Sequence, residues 1–246
     1  MHFIAGISEA LSEELYSFLI KRSWKRNHRC DGYIVTGLLT EEIHDFYSRA
    51  QAKNLPVVLF GHTDIERIDC FDVDNVQGAM LATNHLIQMG HRSIALINTD
   101  ENKDYTIDRL QGYKNALSAA GIAFNPALTI RTQNTVQGGS LGMKALIALG
   151  GFSAVFCVTD IMAIGMINAL HEAGLRVPED ISVVGFDGLG IHRLTDPPIT
   201  TIRQPVFEIG EKLARRLVGR IKGVGERMTG FLPTELLPGK SVKPAR

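Results

Sequence analysis

Short β-branched runs recur along this chain and alternate with helical stretches that stop on glycine. "YIVT" (33–36), "PVVLF" (56–60), "SIALI" (93–97), "AVFCV" (154–158) and "ISVVGF" (181–186) read as buried strands. "NHLIQMG", "NALSAAG" and "NALHEAG" each set a glycine just past the last periodic apolar residue. A left-handed C-terminal cap costs glycine least, so these mark helix ends. Asp74 or Asn75, and Asp160, stand where a side-chain oxygen would accept a first-turn N–H. The alternation predicts an α/β fold with parallel strands covered by helices. At 246 residues and 45% hydrophobic content, one large domain or two small lobes are both possible.

One segment breaks the rhythm. In "PPITTIRQP" (197–205), Pro197 and Pro198 cannot donate to a sheet ladder, and Pro205 pushes Gln204 out of helical geometry. The segment therefore reads as a short extended bridge between two bodies. "FEIGEKLARRLVGRIKG" then predicts a helix stopped at Gly223, and "FLPTELLP" one further extended run.

Composition excludes several function classes. Lys plus Arg and Asp plus Glu both number 26, which gives no general attraction to nucleic acid or an acidic membrane. The cluster Lys21, Arg22, Lys25, Arg26 and Arg29 reads as a solvated helix face. Cys30, Cys70 and Cys157 are odd in number, widely spaced and without histidines at metal-ligand intervals, so neither a disulfide framework nor a metal site is expected. No apolar run reaches the ~20 residues needed to cross a bilayer, and no export signal is read at the start. The expectation is a cytoplasmic protein. No G-x-G-x-x-G follows a strand, and there is no Walker loop, no G-x-S-x-G and no nucleophile beside a histidine. "GGSLG" (138–142) falls within a helical stretch, at the wrong spacing for a phosphate cradle. The chain does not read as an enzyme, and no cofactor is expected.

Taken together, "DGYIVTG" (31–37), "DVDNVQGAMLATNHLIQMGHRSIALI" (72–97), "RLQGYKNALSAAG" (109–121), "TDIMAIGMINALHEAGLRVPEDISVVGFDGL" (159–189) and "PPITTIRQP" resemble the effector-binding domain of LacI-type bacterial transcriptional regulators. The resemblance covers about residues 31–242 in order and spacing. It implies two Rossmann-like lobes with parallel sheets joined by three crossover segments, the type I periplasmic-binding-protein-like fold, with a small ligand between the lobes. The first lobe is expected at 1–91 and 204–228, the second at 92–203 and 229–246, with "TTIRQP" as a crossover.

The resemblance also implies a sugar or sugar-like effector, a homodimer and control of operator DNA through an N-terminal head outside this chain. This chain alone is not expected to bind DNA specifically. The alternative is a periplasmic sugar receptor serving a transporter. In the family pattern a first strand and helix precede "HFIAGIS", so the chain is expected to start at the second strand, with "FIAGI" pairing beside "YIVT".

Five residues are candidates for the ligand site. Asp187 ends a strand where open α/β sheets place ligands, and its carboxylate could accept two hydroxyl hydrogens or bind its own turn. Arg109 matches a family arginine that reaches ligand; its planar fork suits carboxylates, phosphates or paired hydroxyls, and a surface ion pair is the other reading. Replacing Asp187 or Arg109 is expected to weaken binding with little loss of stability. Asp160 fits a helix cap and a ligand contact equally. Thr159 stands where relatives often carry asparagine, which exchanges an amide contact for a hydroxyl. His62, after a strand end, fits a ligand contact or a loop histidine. His91 reads as structural.

Overall fold

The protein is described by a computed structural model covering residues 2–20, 29–37, 40–101 and 103–245. The chain begins with α1 (His2–Glu13), β1 (Tyr33–Thr36), α2 (Thr40–Gln51), β2 (Val57–Phe60) and β3 (Asp69–Val73). It continues through α3 (Asn75–Gln88), β4 (Ile94–Thr99), α4 (Asp104–Ala119), β5 (Thr129–Thr132), α5 (Val136–Leu149), β6 (Ala154–Cys157), α6 (Asp160–Glu172), β7 (Ser182–Asp187) and β8 (Thr200–Arg203). It closes with α7 (Val206–Ile221), β9 (Thr229–Leu232) and β10 (Glu235–Leu237).

Two compact units result: Met1–Val73 with Pro205–Leu232, and Asp74–Gln204 with Pro233–Arg246. The chain passes between them three times, and Pro205 and Pro233 each stand immediately after a passage. These bounds differ from the expected ones at residues 74–91, at 204 and at 229–232. Helix α3 packs along α4, β7 and β8, all in the second unit. Strand β9 pairs in parallel with β3 and so stays in the first. "FLPTELLP" therefore holds two strands in different sheets rather than one run, because Pro233 ends the first ladder.

In the first unit the sheet order is β1-β2-β3-β9, all parallel. Residues 2–13 are a helix, not the strand expected at "FIAGI", and β1 pairs with β2. The physical reason lies in the wider spacing. Phe3, Ile7, Ala10 and Leu11 share one helical face, which packs on Ala214 and Val218 of α7. Gly6 and Gly210 allow that approach: a Cβ at Gly6 would meet the Phe207 carbonyl at 2.1 Å, and one at Gly210 the Phe3 carbonyl at 2.4 Å. Most of the basic cluster, 21–26, lies outside the described residues.

Asp69, fully buried at the start of β3, anchors the unit's polar interior. Its carboxylate lies 2.9 Å from Arg216 Nε and 2.5 Å from Arg220 Nε, and accepts the Met228 N–H. Asp69→Ala would leave two guanidinium groups facing an apolar hole, and is expected to destabilise this unit by about 3–5 kcal/mol in urea unfolding.

The second unit has the order β10-β8-β7-β6-β4-β5, parallel except for the β10–β8 pair. "TTIR" is thus an interior strand, and the crossover begins just after it. The expected helix ends are present: Gly90, Gly121 and Gly174 all have φ between 68° and 89°. His91 is structural, and its ring reaches away from the preceding helix. Its ring joins Ser153 Oγ (2.8 Å), Ser182 Oγ (3.1 Å) and the Lys243 carbonyl (3.1 Å), and so fastens the starts of two strands to the C-terminal segment.

Candidate functional site

The C-terminal ends of β6 and β7, the second turn of α4 and the start of α6 bring four of the five candidate residues into the second unit. Asp187 closes β7 with a backbone φ of 130°, and Gly188 follows at 65°. A non-glycine residue in that region stores roughly 1–3 kcal/mol of strain and persists only where its surroundings hold it. Three bonds do so here. Gln204 N–H donates to the Asp187 carbonyl (3.0 Å), Gln204 Nε2 donates to Asp187 Oδ1 (2.6 Å), and the Asp160 N–H reaches Asp187 Oδ2 (3.4 Å). The Asp187 side chain stays 24% exposed, the most open of the acidic groups in this cluster. A side chain at position 188 would meet the Arg203 backbone at 2.5 Å, so this position offers the site its amide and no side chain.

Arg109 is 4% exposed and is not a surface residue. Its Nε donates to Asn75 Oδ1 (2.9 Å), one terminal nitrogen donates to the Val158 carbonyl (2.5 Å), and the guanidinium lies 3.6 Å from the Phe186 ring centroid. That same nitrogen is 3.8 Å from Asp187 Oδ1. These bonds give Arg109 a structural role that the sequence reading, with its small expected effect on stability, did not include.

Thr159, not Asp160, caps α6: its Oγ1 accepts from the Met162 N–H and donates to Asn134 Oδ1 at 2.9 Å. Asp160 is fully buried. Its carboxylate accepts from Gly188 N–H (2.9 Å) and Thr201 Oγ1–H (2.6 Å). Burial, with Asp187 next, pushes the Asp160 carboxyl up to about 7; burial pushes Asp187 up to about 6 against the opposing pull of Arg109. His62 stands in the first unit, where its Nδ1 lies 3.3 Å from Asp72 Oδ2 and its ring 6.0 Å from that of Phe231.

Gln204, Asn134, Asn75 and Tyr105, whose ring centroid lies 4.8 Å from the Arg109 guanidinium, are not marked in the sequence as part of this site. Gln204 carried the strongest available signal, since it lies in the proline-framed segment; the β7–β8 register opposite Asp187 then places it there. Among the described residues no group of His, Cys, Asp and Glu could hold a metal ion. The cluster sets a partly open carboxylate in a fixed turn, backed by a guanidinium and aromatic rings, at the end of a parallel sheet where small polar ligands bind.

An α/β chain of two parallel-sheet units with such a cluster is a small-molecule-binding module. Residues 83–242 match the periplasmic binding protein-like domain. The chain is 32% identical to an uncharacterised HTH-type transcriptional regulator, YvdE, of Bacillus subtilis, over 98% of this chain and 75% of that protein. It is 33% identical to the HTH-type transcriptional regulator CelR of Thermobifida fusca, over 89% of this chain and 68% of that one. It superposes on the structure of a transcriptional regulator CelR–cellobiose complex with a TM-score of 0.91 and 30% identity, over 98% of this chain and 78% of the other. A LacI family regulator from Enterococcus faecium with bound ribose gives a TM-score of 0.87 at 26% identity, over 100% and 94% of the two chains. The chain belongs to the LacI family of transcriptional regulators and corresponds to their effector-sensing domain, which favours the regulator over the transporter receptor.

Proposed function

We propose that the effector is a small polyhydroxylated molecule, a sugar or sugar derivative, and that Asp187 accepts hydrogen bonds from its hydroxyls. The observation that carries this is the partly exposed Asp187 carboxylate in a strained, triply bonded turn at a strand's C-terminal end. Regulators of similar fold solved in complex with cellobiose and with bound ribose support the ligand class. Arg109 orients Asp187 from behind, and Thr159 fixes the neighbouring loop through Asn134. In the whole protein, effector binding would control the grip of a DNA-binding head, in a cytoplasmic homodimer. The function is binding rather than catalysis. No helix among the described residues is long and apolar enough to cross a membrane.

Calorimetric titration against ribose, cellobiose and a panel of pentoses, hexoses and their phosphates tests the ligand class. Saturable binding of at least one member, with one site per chain, is expected. A flat response to every member would rule out a sugar effector.

A further inference from the structure

The second carboxyl of the cluster has no evident role in direct recognition. Asp160 is fully buried, and space for it is carved in the middle of a strand: a Cβ at Gly185 would meet Asp160 Oδ1 at 2.2 Å. Its donors are the Gly188 amide and the Thr201 hydroxyl. The nearby His192 supplies no charge to offset it. Burial, then Arg193, lowers the imidazole's pKa, and its Nδ1 accepts the Gly190 N–H (3.4 Å) while lying 3.8 Å from Asp160 Oδ2. Arg109 is the nearest cation to the pair, and its contact, at 3.8 Å, is with Asp187. The other titratable groups facing the pair, Cys157 and Tyr105, are neutral at physiological pH, their pKa values raised chiefly by burial. Two carboxyls, one fully buried and one partly open, therefore share one guanidinium, and like charges so placed do not both ionise readily.

We propose that Asp160 is a positioning residue for Asp187: its fully buried carboxyl holds the Asp187–Gly188 turn through the Gly188 amide and takes up a proton in preference to the more open Asp187, leaving Asp187 as the acceptor for ligand. The inference rests on the reading of Asp187 as a ligand contact. It adds that the charge behind that contact depends on a proton one residue layer deeper. Loss of that proton places a second negative charge behind Asp187, while the Gly188 amide and the Thr201 hydroxyl then donate to a full carboxylate, so the turn is held in both states and the site becomes more negative as pH rises through neutrality.

The test needs no ligand. The Gly188 amide resonance of the whole chain, followed by NMR from pH 4.5 to 9, reports the state of the carboxylate it donates to. A titration step with its midpoint near 7 is expected in the unaltered protein, and Asp160→Asn should abolish that step while the amide stays protected from exchange. Asn keeps one acceptor oxygen and imitates the protonated acid, so the turn should persist in the variant. A wild-type midpoint near 4, or a step near 7 that survives Asp160→Asn, would overturn the proposal. Should no sugar bind, the ligand reading fails by itself, and this titration still decides whether Asp160 holds the proton and the turn.

Discussion

Arg109→Ala is expected to destabilise the second unit by about 3–5 kcal/mol, with loss of cooperative unfolding at a correspondingly lower urea concentration. The guanidinium joins three elements: α3 through Asn75, the segment after β6 through the Val158 carbonyl, and β7 through the Phe186 ring and Asp187. Truncation removes charge-assisted donors from buried acceptors and leaves a void beside Phe186, and both effects have the same sign. Arg109→Lys is no rescue, because an ammonium cannot reach Asn75, Val158 and the ring face at once. Urea unfolding of the two variants checks this. A midpoint within experimental error of the wild type would show that these bonds are dispensable.

The second large effect concerns helix packing. Gly165 of α6 faces Val136 of α5, and Gly139 of α5 faces Met162 of α6; a Cβ at Gly165 would lie 1.8 Å from the Val136 carbonyl, and one at Gly139 2.0 Å from that of Met162. Both neighbours are backbone, so relief requires the helices to move apart, opening the core formed by Met143, Leu146, Met162 and Met166. Gly165→Ala is expected to cost about 3 kcal/mol or more, although alanine is the better helix former by about 1 kcal/mol. Gly219→Ala in α7 provides the control. Its Cβ would meet nothing nearer than 3.7 Å, so the helical preference acts alone and the substitution should stabilise by up to about 1 kcal/mol. Opposite signs for the two glycines in thermal or urea unfolding are the expected result, and equal effects would contradict it.

How far the sequence disclosed this arrangement differs from element to element. β1 occupies the four residues read as "YIVT", and the glycine-stopped helices end where expected, because a buried parallel strand and a left-handed cap each have a local signature. β3, "DCFDV", escaped notice: its two aspartates break the apolar run, and one of them is buried only because Arg216 and Arg220 arrive from α7, some 150 residues on. β5, "TIRT", is a half-polar edge strand with no pattern to find. "FIAGI" was assigned the wrong type because a five-residue apolar run has no period; the register that makes it a helix face depends on Gly210 in α7.

The site follows the same logic. That Asp187 closes a strand is legible in the sequence, whereas the Thr201 bond to Asp160 and the bond from Gln204 exist only through β7–β8 pairing. The identity of the α6 cap turned on a single position, since Thr159 and Asp160 are both competent N-cap residues and geometry chose the first.

The central claim is that Asp187 receives the effector. Alanine is a poor probe there, because a φ of 130° tolerates asparagine better. Asp187→Asn keeps the size of the side chain and removes the charge. Titration of a sugar that binds the wild type into this variant, with circular dichroism confirming the fold, should show an affinity lower by roughly 30- to 1000-fold, corresponding to about 2–4 kcal/mol for lost charge-assisted hydrogen bonds. Unchanged affinity in a folded Asp187→Asn protein would move the effector site away from the end of β7 and contradict the account.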